Sequence, residues 1–192
     1  MIRIGILGDI GSGKSHVAKL FGYPTFNADL EVYKLYKKNK KCYFKIKNAL
    51  PNYINSFPIK RKELTKAILD KKKNLKKIIK IIHPEISKKM NKFIKRNKNK
   101  KIIVLDVPLF MENKINKKND ILIFIEAKKK EINKRLKKRE NFNPKIVKIL
   151  KEFQLPLEIK KKRSDFIIKN NFKNNYVKKN VKKIIKKILL NA

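Results

Sequence analysis

The sequence has little cysteine and histidine, few acidic residues and no long apolar run. Its single cysteine, Cys42, cannot form an intrachain disulfide, and no His/Cys cluster has metal-ligand spacing. No apolar stretch approaches the roughly 20 residues that span a bilayer, and the apolar start is too short for a signal peptide. We therefore expect a cytoplasmic protein with a buried, unreactive thiol rather than a disulfide-rich or membrane-spanning one.

The scarcity of acidic residues leaves a formal net charge of +39, from 54 Lys+Arg against 15 Asp+Glu. Such a charge attracts nucleic acid, an anionic membrane surface or a polyanionic small substrate. The basic residues recur from Lys34 to Lys187 instead of forming one tail. We interpret most of them as solvated helix faces, and we expect no membrane partner and no specific nucleic acid.

Short apolar segments alternate with helical ones, which is typical of an α/β fold with a parallel sheet flanked by helices. A chain of 192 residues suits one domain with insertions. The segments predicted as five strands are Arg3–Leu7, Tyr23–Asn27, Ile102–Asp106, Ile121–Ile125 and Phe166–Ile168.

Helical segments occupy most of the remaining sequence. A long lysine-rich stretch from Leu30 to about Arg96 is predicted to be helical, with breaks near Pro51, Pro58 and His83-Pro84. Two further helical pieces lie between Glu131 and Leu150, and an amphipathic helix runs from Val177 to Leu190.

Glycine is rare, yet four of the five glycines lie within the first thirteen residues. Three of them belong to G-D-I-G-S-G-K-S (8–15), which matches G-x-x-x-x-G-K-[ST] between a predicted strand and a predicted helix. In such a loop the main-chain N–H groups surround phosphate oxygens, the lysine binds the β- and γ-phosphates, and the hydroxyl binds Mg²⁺. The predicted cofactor is ATP with Mg²⁺, held by Gly8, Gly11, Ser12, Gly13, Lys14, Ser15 and the main chain of His16.

Segments in the same order along nearly the whole chain resemble the dephospho-CoA kinase family. The phosphate loop resembles T-G-G-I-G-S-G-K-S, and V-L-D-V-P-L-F-M-E (104–112) is similar to V-L-D-I-P-L-L-F-E. N-A-D (27–29), His83-Pro84 and Asn170-Asn171 resemble the family's D-A-D, H-P and D-N-x-G. The resemblance implies a three-layer α/β/α kinase with a helical substrate-binding insertion at 30–98 and a small lid at 136–152. We expect a monomer or a weak homo-oligomer.

The resemblance also implies a reaction, the phosphorylation of the ribose 3′-hydroxyl of dephospho-CoA as the last step of coenzyme A biosynthesis. Catalytic roles are expected for Lys14, Asp29 and Arg139. Asp29 would orient or deprotonate the hydroxyl, and Arg139 would stabilise charge on the γ-phosphoryl group. Asp29, His83 and Pro108 are the expected substrate-binding residues, and Ser15 and Asp106 the expected metal ligands.

Several of these residues also have purely structural interpretations. Asp29 could be the N-cap of the following helix, Asp106 could hydrogen-bond neighbouring main chain, and Arg139 could lie on a solvated face. Five residues depart from the family pattern, namely Asp9, Asn27, Glu140, Lys160 and Phe172. Two other functions remain open at this point, another small-molecule or nucleotide P-loop kinase and a basic nucleic-acid-binding protein with a relic phosphate loop.

Overall fold

The computed structural model describes residues 1–190 and divides them into two units. The first unit comprises residues 1–27, 97–142 and 151–190, and the second comprises 28–96 and 143–150. The elements in chain order are β1 (Ile2–Gly8), α1 (Lys14–Leu20), β2 (Thr25–Asn27), α2 (Ala28–Lys38), α3 (Lys40–Ala49), α4 (Arg61–Asp70), α5 (Lys72–Arg96), β3 (Ile102–Asp106), β4 (Ile121–Glu126), α6 (Lys129–Lys137), α7 (Pro144–Glu152), α8 (Leu157–Lys162), β5 (Phe166–Lys169) and α9 (Asn174–Leu190).

A five-stranded parallel sheet forms the centre of the first unit, with strand order β2-β3-β1-β4-β5. All five predicted strands are confirmed. β1 lies in the middle, pairing Gly5 with Leu105 of β3 and with Leu122 of β4. The loop after β1 and the residues that end β3 therefore emerge at the same edge of the sheet, where open α/β folds bind ligands.

Helices cover both faces of this sheet. Alternate residues of β1, including Ile4 and Ile6, are fully buried in one core with side chains of α1 and α9, such as Val17 and Val181. On the opposite face α8 contacts β1, and the ring of Phe110 lies against Gly5, where an added Cβ would meet it at 2.5 Å. The predicted three-layer α/β/α class is thereby confirmed.

The second unit is helical, and α5 packs against α2, α3 and α4. The predicted break at His83-Pro84 is wrong, because α5 runs through Pro84 without interruption. Its apolar stripe, which includes Ile78, Ile82 and Ile86, continues across the proline and is buried. Burial of this stripe compensates for the hydrogen bond that proline cannot donate.

Cys42 lies in α3 and is 2% exposed. Burial raises the pKa of its thiol, which keeps the thiol protonated and unreactive at neutral pH. The expectation of a buried cysteine is confirmed. In the part of the chain that the structure describes, no helix has the length and apolar character needed to cross a membrane.

Candidate active site

The glycine-rich loop connects β1 to α1, as the sequence predicts. Gly13 is the N-cap of α1, and Lys14 and Ser15 are its first two residues. The Lys14 ammonium donates to the main-chain oxygens of Gly8 at 3.1 Å and of Asp9 at 2.8 Å. The ammonium group thus lies over the loop, where a phosphate-binding lysine is required.

None of the three loop glycines can be replaced without a rearrangement, as Gly8 and Gly13 illustrate. Gly8 has φ 144°, and an added Cβ would meet the Ile125 carbonyl oxygen at 2.7 Å and the Ser12 hydroxyl at 2.8 Å. Gly13 has φ 90°, and its Cβ would collide with the Asn170 amide. These steric requirements explain why the loop contains glycine although glycine is rare elsewhere in the chain.

Asn170 supports the loop from the end of β5. It is 4% exposed, and its Nδ2 donates to the Ser12 main-chain oxygen at 2.8 Å. Its Oδ1 accepts the Phe172 main-chain N–H at 2.9 Å. Phe172 has φ 61°, a left-handed conformation that explains the glycine at this place in the D-N-x-G pattern.

The ring of Phe172 is held between the loop and α6. The Arg135 guanidinium lies over the ring, 4.5 Å from its centroid, and a Cβ on Gly13 would be 3.4 Å from the ring edge. Cation–π attraction therefore gives Arg135 a defined place near the phosphate loop. Arg139 follows α6 and is exposed, and the contacts recorded for it among residues 1–190 are those of its main chain.

Asp106 ends β3, beside β1, and is 3% exposed. Its Oδ2 accepts a hydrogen bond from Asn27 Nδ2 at 2.5 Å. The structural interpretation of Asp106 predicts hydrogen bonds to neighbouring main chain. The structure instead shows a hydrogen bond to the Asn27 side chain. Because Asn27 is neutral where the family pattern has an aspartate, no second carboxylate at position 27 repels the charge of Asp106.

Asp9 is the carboxylate of the phosphate loop and is 8% exposed. Its Oδ1 accepts the Ile10 main-chain N–H at 2.7 Å, and its Oδ2 forms an ion pair with Lys151 Nζ at 2.9 Å. Both carboxylate oxygens therefore have partners within the first unit.

A small pocket beside the loop is lined by predicted site residues, among them Gly8, Lys14 and Pro108. It is also lined by Glu112 and Lys160, which form an ion pair of 2.9 Å with side chains 10% and 3% exposed. Glu112 Oε1 also accepts the Leu155 main-chain N–H at 2.9 Å. The segment 104–112 is therefore held in place by the contacts of two of its residues, Asp106 and Glu112.

The other four predicted site residues lie either at the exposed start of α1 or in the second unit. Ser15 and His16 are exposed at the start of α1. Asp29 is the second residue of α2, so its interpretation as the helix N-cap is wrong, because α2 begins at Ala28. His83 is half-buried within α5, and its Nε2 has no hydrogen-bond partner among the described residues.

Sequence reasoning did not single out Lys151, Lys160 or Asn170 by role. Lys160 stands near the family's arginine but has no role assigned to it on that ground, and no local signal distinguishes Lys151 from the other lysines. The burial and pairing of each depend on residues far away in the chain. Asn170 is recognisable from the sequence only as part of a motif that resembles the family's. Its role is not, because its contact with Ser12 spans 158 positions.

Comparisons with known proteins agree with this geometry. A model of the dephospho-CoA kinase family matches residues 2–175. A dephospho-CoA kinase of Bartonella quintana is 35% identical over 170 residues, which cover 86% of this chain and 87% of that protein.

Two solved structures resemble the fold. A Thermus thermophilus protein has a TM-score of 0.76 at 25% identity, covering 97% of both chains. The dephospho-CoA kinase from Campylobacter jejuni has a TM-score of 0.64 at 23% identity, covering 97% of this chain and 96% of that one. The phosphate loop, the site at the edge of the sheet and the extent of the family match lead to one conclusion: this chain belongs to the dephospho-CoA kinase family.

Proposed function

We propose that this chain transfers the γ-phosphoryl group of ATP to the 3′-hydroxyl of dephospho-CoA, giving CoA and ADP. The observation that carries the proposal is the phosphate loop, with the Lys14 ammonium 2.8–3.1 Å from loop carbonyl oxygens, in a chain that matches the dephospho-CoA kinase family over residues 2–175. Phosphoryl transfer of this type depends mainly on positioning and on charge stabilisation.

Lys14 and the loop N–H groups bind and orient the phosphates of ATP. The ammonium exchanges its carbonyl partners for the β- and γ-phosphate oxygens, which become more negative as the bond to the leaving group breaks. Arg139, which is exposed, supplies a second positive charge to the γ-phosphoryl group when the lid at 136–152 closes.

Asp29 orients the 3′-hydroxyl or takes up its proton. Its place supports this role, because it follows the carboxyl end of β2 by two residues, and ligands of parallel sheets bind at the carboxyl ends of the strands. His83 and Pro108 are the further substrate-binding residues that we propose.

Ser15 and Asp106 would hold Mg²⁺, which supplies charge neutralisation between the β- and γ-phosphates. The donor set fits this ion, because Mg²⁺ keeps several waters and takes one or two carboxylates together with phosphate oxygens. Asp106 is a single carboxylate held in place by the Asn27 amide. Among residues 1–190 no group of three or more His, Cys, Asp or Glu could form a complete metal site.

The proposal also covers location and partners, namely a cytoplasmic enzyme, monomeric or weakly oligomeric, with ATP and dephospho-CoA as its substrates.

The test measures ADP release with Mg-ATP and dephospho-CoA, AMP or no acceptor, at moderate salt, with the product mass recorded. We expect one phosphoryl group added to dephospho-CoA alone. Phosphorylation of AMP would indicate a nucleotide kinase, and no turnover together with salt-sensitive nucleic-acid binding would favour a relic phosphate loop.

A further inference from the structure

The phosphate loop of this chain contains a negative charge where the family pattern has glycine. Asp9 precedes Ile10 in the loop and is 8% exposed. Its main-chain oxygen is 2.8 Å from the Lys14 ammonium and accepts the Ser12 N–H at 3.1 Å. The carboxylate of the same residue accepts the Ile10 main-chain N–H at 2.7 Å, so its negative charge lies within the loop.

A carboxylate in this place opposes nucleotide binding in two ways. It repels the phosphates of ATP, and it competes with them for the Lys14 ammonium, the other charged group of the loop. Both effects are strengthened by burial, because a buried charge is poorly screened by water and salt. A phosphate loop with an uncompensated Asp9 would bind ATP weakly.

Lys151 supplies the compensating charge. Its Nζ is 2.9 Å from Asp9 Oδ2, while the Ile10 N–H binds Oδ1 at 2.7 Å. The Lys151 side chain is 42% exposed and that of Asp9 is 11% exposed. The ammonium therefore covers the carboxylate from the solvent side, and the two partners together hold the carboxylate in one orientation.

We propose that Lys151 is a positioning residue for nucleotide binding, which neutralises Asp9 and leaves Lys14 available for the phosphates of ATP. This inference rests on the proposed function, since it concerns the binding of the phosphate donor. Lys151 acts through Asp9 and does not touch the nucleotide. Its importance for binding must therefore depend on the presence of a carboxylate at position 9.

The test is a double-mutant cycle on nucleotide affinity. The variants are Lys151→Met, Asp9→Asn and the double variant, and Asn at position 9 can still accept the Ile10 N–H. The probe is the non-hydrolysable analogue β,γ-methylene-ATP with Mg²⁺, titrated by calorimetry at about 0.1 M ionic strength, where surface charges are largely screened. Lys151→Arg retains the charge, and Lys148→Met removes a charge from an exposed residue of the same helix.

We expect Lys151→Met to weaken binding by about fivefold to tenfold, as for a partly buried charge that loses its partner. In the Asp9→Asn background the same substitution should change the affinity by less than about twofold. Lys151→Arg and Lys148→Met should bind like the unmodified chain, and thermal melts of all variants report whether they are folded.

Three outcomes would overturn the proposal. Equal weakening by Lys151→Met in both backgrounds would show that Lys151 contacts the nucleotide directly. An unchanged affinity in Lys151→Met would show that Asp9 needs no counterion. Failure of the unmodified chain to bind the analogue would remove the proposed function as well, whereas normal binding without dephospho-CoA turnover would contradict only the proposed acceptor.

Discussion

Lys14 is the residue whose position most directly supports phosphoryl transfer. We expect Lys14→Ala to lower kcat by orders of magnitude, because charge stabilisation of this kind is realised mainly in the transition state. Arg139→Ala should have a similar effect, because we propose that its guanidinium stabilises charge on the γ-phosphoryl group. The measurements are steady-state kinetics with dephospho-CoA and a circular dichroism spectrum. Near-normal turnover in either folded variant would remove that residue from the mechanism.

The ion pair of Glu112 and Lys160 is deeply buried, with side chains 10% and 3% exposed. Lys160→Met should lower the free energy of unfolding by about 3–5 kcal/mol, because it leaves the Glu112 carboxylate without its cation. The combined variant Glu112→Gln with Lys160→Met should recover part of this loss. Urea unfolding provides the measurement.

Lys161→Met is the matched control for this prediction. Lys161 is the next residue and forms an ion pair of 2.7 Å with Glu126, but both side chains are more than one third exposed. Exposed pairs contribute little to stability. A similar loss of stability in Lys160→Met and Lys161→Met would show that burial of the Glu112 pair has no special importance.

At the scale of the element, α5 accommodates a proline that the sequence indicates as a break. Pro84 is exposed, whereas Ile82 and Ile86 are buried. Pro84→Ala should raise the free energy of unfolding by about 1–3 kcal/mol, since it restores the N–H and removes a clash with the preceding turn.

Pro144→Ala is the comparison for Pro84→Ala. Pro144 is the first residue of α7, where the missing N–H has no helical partner in any case. Chemical unfolding of both variants should therefore show stabilisation at position 84 and little change or a small loss at position 144. Destabilisation by Pro84→Ala would indicate that the proline shapes α5.

Glu31 connects α2 to α5 through Lys89, at 2.9 Å, and also pairs with Lys34, at 2.6 Å. Burial raises the pKa of the Glu31 carboxyl, but hydrogen bonds and charge attraction from both lysines outweigh burial and lower it below 4.5. A lowered folded-state pKa stabilises the fold above about pH 4.5, and this contribution is lost as the pH falls through the lowered value. Glu31→Gln should therefore lower stability at pH 7 and have little effect near pH 3, as measured by urea unfolding at constant salt.

At the scale of the whole molecule, the net charge of +39 controls how stability responds to salt. We expect the Tm to rise by several degrees between about 20 mM and 500 mM NaCl, because screening over a Debye length of about 20 Å falling to about 4 Å weakens self-repulsion. Differential scanning calorimetry measures the change. Sodium sulfate at matched ionic strength separates screening from anion binding, and a Tm that falls with NaCl would show that attractive pairs dominate.

Local patterns were sufficient for the strands and for the phosphate loop. The segments of the three central strands, β1, β3 and β4, are strongly apolar because a parallel sheet covered on both faces buries such runs. The loop was evident because its glycines take conformations that other residues avoid. Pro84 was misinterpreted because local propensity ignores the burial of the stripe on either side of it.

The sequence by itself therefore determined the α/β class, the phosphate-binding loop and the family, since each depends on residues that are adjacent or regularly spaced. Tertiary structure alone decided which acidic partners the lysines outside the loop meet. Lys151 meets Asp9 across 142 positions, and Lys160 meets Glu112 only once α8 has packed against the sheet. Such pairs arise because folding brings distant charges together and excludes water from them, and neither event leaves a periodic signal in the sequence.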